Sequence, residues 1–425
     1  MKLCKWIFVA ILIFILGLNQ LLACSGYKIT LGNKTILGCN EDAWRLTSRL
    51  WFENSTDKTK FGAAFTGSRF DGENGFAPQA GMNEMGLAFE RLASFHPKLR
   101  KKSGEKEIIN PTLYLKNILH ECKNVDEVKA YIEKFDFSYF IEDVFLYVDQ
   151  SGKYLVVEPY SIIPGNDAKY VISNFCPSIT SSEKANSLNR YRNGVSFLNN
   201  KLDTSLEFCR ALSDTMHVCR SKIGDGTLLT SIWDLKDGFF NLYFYHDYAH
   251  TIRFNLKEEL NKGNHIVAID TLFPVNTEFE KLAAFQIPKN NIKMAIFMLF
   301  CAGLFLFSFV YLLIQFIRKS NLTWVEKILI PLSLLMCYYL YVLSGSINVY
   351  YFDAPYYDPS SYLISISSYF PFLLLILIVP IIIWTFDIVK NKRRNRFTNS
   401  LLLINSLAYL GLIGLFYYWR FYDVF

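Results

Sequence analysis

Apolar residues are distributed along this chain in two regimes. After Asn291, four stretches (residues 292–317, 328–350, 362–389 and 401–419) are apolar over the length of about 17–25 residues that a helix needs to cross a bilayer. A shorter apolar run, from Trp6 to Leu18, follows Lys2 and Lys5 and leads into Leu21-Leu22-Ala23-Cys24. That is the order of a secretory signal with a small residue at the cut. Residues 25–291 instead mix charged residues, Gly and Asn turns, and apolar runs of strand length, as a globular domain does.

Within that middle region the pattern predicts an α+β fold, with strands gathered near its ends and helices between. Residues 27–31 have strand character, Gly32-Asn33-Lys34 carries hairpin chemistry, and residues 35–38 return. With Gly32-Asn33 as the loop, Leu31 pairs with Lys34 and Cys24 falls opposite Glu41. With Asn33-Lys34 as the loop, Cys24 falls opposite Ala43. Either way, residues 40–42 return beside Cys24. Two further hairpins are predicted, at 144–148 with 154–158 around Asp149 and Gly152, and at 228–234 with 239–245 around Gly238. Helices are expected over 113–122, 126–135 with Asn124 as cap, 183–198 and 206–216.

Charge orients the apolar part. The sequence has 44 Lys and Arg against 38 Asp and Glu, a net charge of +6. Arg318, Lys319 and Lys327 lie between the first two spans, and Lys390, Lys392, Arg393, Arg394 and Arg396 between the last two. Loop 353–358 has no Lys or Arg. By the positive-inside rule both basic loops face the cytoplasm, so the globular region lies outside, as a signal peptide also requires. The expected organisation is a signal peptide over 1–23, an extracytoplasmic domain over 24–285 and a four-helix transmembrane region over 292–419 of a multi-pass cell-membrane protein. The basic excess thus has a membrane explanation, and nucleic acid is set aside as a partner. The spans hold few ionisable groups: Asp387 lies near the cytoplasmic end of the third, Asn348 and Asn405 are polar but uncharged, and Pro371 and Pro380 bend the third. This favours an anchor or partner-binding bundle over a transporter.

Signal cleavage would make Cys24 an N-terminal residue, placing a thiol beside a free α-amine. An amine with a pKa of about 7.7–8.0 can take the proton of a thiol with a pKa of about 8.5, so nucleophile and base would share one residue. Leu-Leu-Ala-Cys also fits a lipoprotein box, in which the cysteine is lipidated and inert. Asp42 is the candidate to orient the amine, against the alternative of an Asx turn closing the second strand. Among the remaining cysteines, Cys209 and Cys219 are the nearest pair for a disulfide. No metal is expected: Cys209, His217 and Cys219 lack a fourth ligand at zinc-finger spacing, and His217, His246 and His250 match no hydrolase or metalloprotease motif.

Cys24-Ser25, followed after one hairpin by Gly38-Cys39-Asn40-Glu41-Asp42-Ala43-Trp44, resembles the opening of the choloylglycine hydrolase and penicillin V acylase group. That group of linear-amide hydrolases and penicillin-biosynthetic acyltransferases belongs to the N-terminal-nucleophile hydrolases. Gly81-Met82-Asn83-Glu84-Met85-Gly86-Leu87 is similar to its most specific segment. Val171-Ile172-Ser173-Asn174 resembles the strand carrying an oxyanion-hole group, and Ser187-Leu188-Asn189-Arg190-Tyr191 the segment with its active-site arginine. The resemblance spans about residues 24–260. It implies a four-layer αββα sandwich, catalysis by Cys24, Asp42, Asn174 and Arg190, substrate contacts by Asn83 and Ser94, and no cofactor. The implied partners are a small-molecule amide substrate and membrane lipid, with oligomeric state open. The chain departs from the group at Cys39, where bile-salt and penicillin members usually carry Arg, and near Ala93 and Ser94, where they have Asn or Tyr. Their specificity is therefore not implied. An N-terminal-cysteine dipeptidase and a non-catalytic sensory ectodomain with a lipidated cysteine are the rival readings.

Overall fold

The computed structural model describes residues 24–43, 45–55, 57, 60–99, 106–219, 222–223, 226–318, 321–358 and 361–423. The expected signal segment 1–23, together with Trp44 and Lys319, lies outside them. The described chain divides into two compact units, one running to Ala284 and the other starting at Phe285.

The first unit opens with the predicted hairpin, β1 (Ser25–Leu31) and β2 (Lys34–Ala43). Gly32 takes φ +62°, which a residue without Cβ adopts freely, and Leu31 pairs with Lys34. Of the two registers, the Gly32-Asn33 loop is the one formed, and Cys24 lies across from Glu41. The chain continues through β3 (Arg49–Glu53), β4 (Ala63–Gly67), the small ribbon of β5 (Arg69–Phe70) and β6 (Phe76–Ala77), β7 (Ala80–Asn83) and β8 (Ala88–Ala93). Helices α1 (Pro111–Glu121) and α2 (Val125–Ile132) precede β9 (Asp143–Val148), β10 (Tyr154–Glu158), β11 (Ser161–Gly165) and β12 (Lys169–Ser173). After α3 (Ser182–Asn186), α4 (Asn189–Asn200) and α5 (Leu206–Met216) come β13 (Gly226–Asp234), β14 (Phe239–Phe244), β15 (Ile252–Asn255), α6 (Leu256–Asn261), β16 (His265–Ala268) and α7 (Thr277–Ala284).

These strands form two main antiparallel sheets, ordered β12-β1-β2-β13-β14-β15 and β11-β10-β9-β8-β7-β4-β3-β16. Alternation along each strand sends one side chain to a helical layer and the next to the facing sheet. Tyr27, Ile29, Ile36 and Ile232 pack with Leu198, Leu212 and Met216 of α4 and α5. Phe65, Phe89 and Tyr147 pack with Leu115, Ile118 and Leu119 of α1 and with Val128 of α2. The α+β unit is therefore a four-layer sandwich, with Gly26 of the first sheet meeting Glu90 of the second in its central layer.

The helices follow the sequence with local departures. Asn124 caps α2 through its Oδ1, which accepts from Glu127 N at 3.0 Å. That helix stops at Ile132, short of residue 135, because the backbone of residues 134–136 bonds instead to Lys106. The expected helix 183–198 is two helices. Ser187 Oγ donates to Lys184 O at 2.7 Å and Leu188 is extended, so side-chain bonding competes with helix continuation at the join. The disulfide considered between Cys209 and Cys219 is absent: Cys209 is buried against Tyr27, Cys219 is exposed, and no disulfide joins them.

The second unit contains α8 (Ile292–Ile317), α9 (Trp324–Gly345), the short α10 (Asn348–Tyr351) and α11 (Tyr362–Ser367), α12 (Phe370–Lys390) and α13 (Arg396–Tyr418). Among its described residues are four helical stretches long and apolar enough to cross a membrane. The second starts four residues earlier than expected because Thr323 and Glu326 form a capping box. The third breaks before Pro371, which has no amide proton to continue the preceding turn. Some polar groups in the bundle bond across helices: Asn405 Nδ2 donates to Ser308 Oγ at 2.8 Å, and Ser333 and Tyr409 hydroxyls meet at 3.2 Å. Arg394 grips Glu326 through two N–H groups at 2.8 and 2.7 Å.

One buried side chain fastens the β7–β8 turn to α1. Asn83 Nδ2 donates to Leu119 O and Cys122 O at 2.7 and 2.8 Å, and its Oδ1 accepts from the amides of Met85 and Leu87 at 3.0 Å each. Asn83→Ala should destabilise the fold by about 2–4 kcal/mol, since buried backbone groups lose their partners. Thermal melts of the full-length protein should show this, and Asn83→Asp should not restore stability, because a carboxylate cannot donate to the two carbonyls.

Candidate active site

Strand β1 lies between β12 and β2, with Ser25 paired to Ser173 on one side and to Asn40 on the other. One step back, Cys24 is flanked by Asn174 and Glu41. Its nitrogen donates to Asn174 Oδ1 at 2.7 Å. Its carbonyl accepts from Ser173 Oγ at 2.9 Å and from Arg190 Nε at 3.3 Å. Arg190 also donates through Nε to Ser173 Oγ at 2.7 Å and through Nη2 to Asn174 Oδ1 at 2.6 Å. The helix break before α4 puts Arg190 in a first turn, where its buried guanidinium reaches both strand ends.

Asp42 closes the other side. Its carbonyl is 4.0 Å from Cys24 Sγ, and its Oδ1 accepts from Thr227 Oγ1 at 2.5 Å, at the position where a bulge shifts the pairing of β13 with β2. Four residues expected to act together, Cys24, Asp42, Asn174 and Arg190, are thus brought together from four separate stretches.

The amide of Asn174 is oriented differently from the simplest expectation. Its oxygen faces the Cys24 nitrogen and Arg190, while Nδ2 donates to Ala93 O at 2.6 Å. An Asn amide nitrogen carries two hydrogens, so one remains for another acceptor. Ser94 follows Ala93 directly, buried, with its hydroxyl 3.2 Å from Cys176 Sγ. Asn83 is placed otherwise: its amide is committed to four backbone groups at the β7–β8 turn, which leaves it no capacity for a substrate.

Sequence reasoning missed the acids beneath the thiol. Glu41 of β2 and Glu90 of β8 are both buried in the central layer, 4% and 1% exposed. Thr66 donates to Glu41. Glu90 lies over Gly26, where an added Cβ would come within 1.6 Å of its Oε2, so only glycine admits this carboxyl. Neither oxygen of Glu90 has a hydrogen-bond partner among the described residues. Burial drives Glu41 up to about 8. Burial, then the charges of Glu41 and Asp42, drive Glu90 well above the ordinary carboxylate range. Burial and the Asp42 carboxylate likewise push the Cys24 thiol up. The available signal was the alternation of β8, where Glu90 shares its face with Ala88 and Leu92.

No family model matches the chain, and no curated protein matches it in sequence. Among solved structures, it is similar to a variant of conjugated bile acid hydrolase from Clostridium perfringens, with 17% identity over 60% of this chain and 97% of that one and a TM-score of 0.43. A second variant of that enzyme is similar at 16% identity, over the same shares of the two chains, with a TM-score of 0.44. Penicillin V acylase from Agrobacterium tumefaciens is similar at 14% identity over 57% of this chain and 90% of that one, with a TM-score of 0.44.

The raised acids predict how stability varies with pH. An unfolded Glu41 ionises in the ordinary range, while the folded one holds its proton up to about 8. Between those values the folded state binds more protons, so stability is highest below the unfolded pKa and falls as pH rises through about 8, by at most about 1.4 kcal/mol per pH unit per group. Glu41→Gln should flatten this decline in melts of the full-length protein across the window. A wild-type slope preserved in the variant would contradict the assignment.

Proposed function

We propose that the chain is an exported, membrane-tethered amidohydrolase that cleaves a linear carbon–nitrogen amide with Cys24 as nucleophile. The observation that carries this reading is that Asn174 holds the nitrogen and Arg190 the carbonyl of Cys24, the residue that signal cleavage would expose, while the Asp42 carbonyl lies 4.0 Å from its Sγ. The reading takes residues 1–23 as the signal, the following domain as extracytoplasmic and the four apolar helices as its membrane anchor.

On this reading, removal of residues 1–23 turns the Cys24 nitrogen into an α-amine already held by Asn174 Oδ1, with Asp42 as a second acceptor for its remaining protons. Before the cut, burial and the Asp42 charge hold the thiol protonated. An ammonium adjoining it after the cut favours the thiolate. The neutral amine takes the Sγ proton, and sulfur attacks the amide carbon to form a tetrahedral oxyanion. The second Asn174 Nδ2 hydrogen donates to that oxygen. The ammonium then protonates the leaving nitrogen, the C–N bond breaks, and a thioester remains. Water attacks that thioester and gives a proton to the amine, the C–S bond breaks, and sulfur recovers the proton as the carboxylic product departs.

Arg190 holds Asn174, Ser173 and the Cys24 carbonyl in one fork, a geometry that the single ammonium of a lysine does not reproduce.

The deciding experiment is intact-mass and N-terminal sequencing of the mature protein, followed by a panel of N-acyl amines and dipeptides. A free Cys24 terminus with hydrolysis of N-acyl amines is expected. A lipidated Cys24, or full hydrolysis by Cys24→Ala, would sink the reading, and cleavage confined to dipeptides would move it to the peptidases. Asn174→Ala should lower kcat about a hundredfold or more. Arg190→Lys should lower kcat and the melting temperature together.

A further inference from the structure

The membrane-type unit contains a cleft of about 630 Å³ between α8 and α9. Its walls are two helical stripes at i, i+3, i+4 and i+7 spacing. Ala295, Met298, Leu299 and Ala302 form one, and Cys337, Leu340, Tyr341 and Ser344 form the other. The opening has a sequence cause. Ala295 and Ala302 leave one wall thin, and nothing lies within 4 Å of where a Cβ on Gly345 would stand. Near the floor the helices do touch, with Cys337 Sγ donating to Ala302 O at 3.4 Å. The size is that of a small-molecule pocket, commonly about 300–1,000 Å³, and bundles place such pockets between helices. Among the described residues lining the cleft, Lys289 is the one that carries a charge, and it is exposed just ahead of α8.

We propose that this cleft binds one acyl chain ending in a carboxylate, a fatty acid or an equivalent single-chain acid. The apolar stripes take the hydrocarbon by packing against it. Lys289 takes the head group. A single cation at the mouth matches a head of one negative charge better than a multiply charged phosphate head, which the basic pockets of membrane bundles hold with several Lys and Arg. The cleft lies wholly within the second unit and its occupancy does not rest on the hydrolase reading: the ligand is held, not cleaved.

The test uses full-length Cys24→Ala protein in discs of neutral phospholipid, with labelled palmitate as probe and hexadecanol as its uncharged counterpart. Saturable palmitate binding is expected. Ala302→Trp, which fills the cleft, should weaken it tenfold or more, while Ile383→Trp on an exposed face of α12 should leave it unchanged. Lys289→Gln should weaken palmitate about fivefold, the effect of one lost interfacial charge, and leave hexadecanol untouched. Gly345→Leu repeats the blockade at the mouth should Ala302→Trp fail to assemble. Binding no greater than partition into empty discs would overturn the proposal, as would equal effects of the Ala302 and Ile383 variants. Equal loss of both probes on Lys289→Gln would overturn the carboxylate assignment.

Discussion

Strand β1 is paired on both edges, and almost everything at the candidate site follows from that. Antiparallel pairing admits no slip of one residue without turning every side chain to the other face. Tyr27 and Ile29 are fixed in the helix-facing core, so Gly26 and Lys28 must face the opposite sheet. With Ser25 locked to Ser173 and Asn40, the residue before it can lie only between the end of β12 and the end of β2. Two ladders deliver Asn174 and Asp42 to Cys24, and the first turn of α4 brings Arg190 to it. The same pairing makes the position of the first described residue a matter of tertiary structure rather than of a loose terminus.

The interior acids set the electrical character of this place. A bare buried carboxylate is too costly to keep, so Glu41 and Glu90 hold their protons well above the usual range. Burial first, and then the Asp42 carboxylate, holds the Cys24 thiol protonated. On the proposed reading, a cut before Cys24 would add one positive charge beside these acids and the Asp42 carboxylate.

The sequence was legible where local chemistry governs. A Gly-Asn turn, an Asn cap and apolar runs of bilayer length each dictate structure within a few residues, and all three kinds of element formed. Arg190 and Asn174 were named from the segments around them; the β1–β12 ladder brings Asn174 to Cys24, and the first turn of α4 brings Arg190. What stayed hidden depends on distant partners. Glu90 reads as a solvated charge until β8 is known to face β1 across the sandwich, and the glycine that admits it reads as a plain strand residue. Asn83 lies in a specific segment, yet its amide fastens a turn to a helix, a use visible only once α1 is in place. The orientation of the Asn174 amide is likewise a product of Ala93 and Arg190 acting from other elements. The breaks at Ser187 and before Pro371 are local, and their signals, a hydroxyl bonding its own helix and a missing amide proton, were present in the sequence.

The second unit uses some residues twice on the proposed orientation. Lys and Arg near span ends orient insertion by their number rather than by net charge, so acids beside them subtract little. Arg394 is clamped to Glu326, and Arg393 lies 3.2 Å from Asp387. On that orientation, the pairing would cost the signal nothing, because these bridges would form only once the helices had crossed. The Arg394–Glu326 bridge joins the loop after α12 to the start of α9, so charges proposed to set the direction of the bundle would end by fastening it.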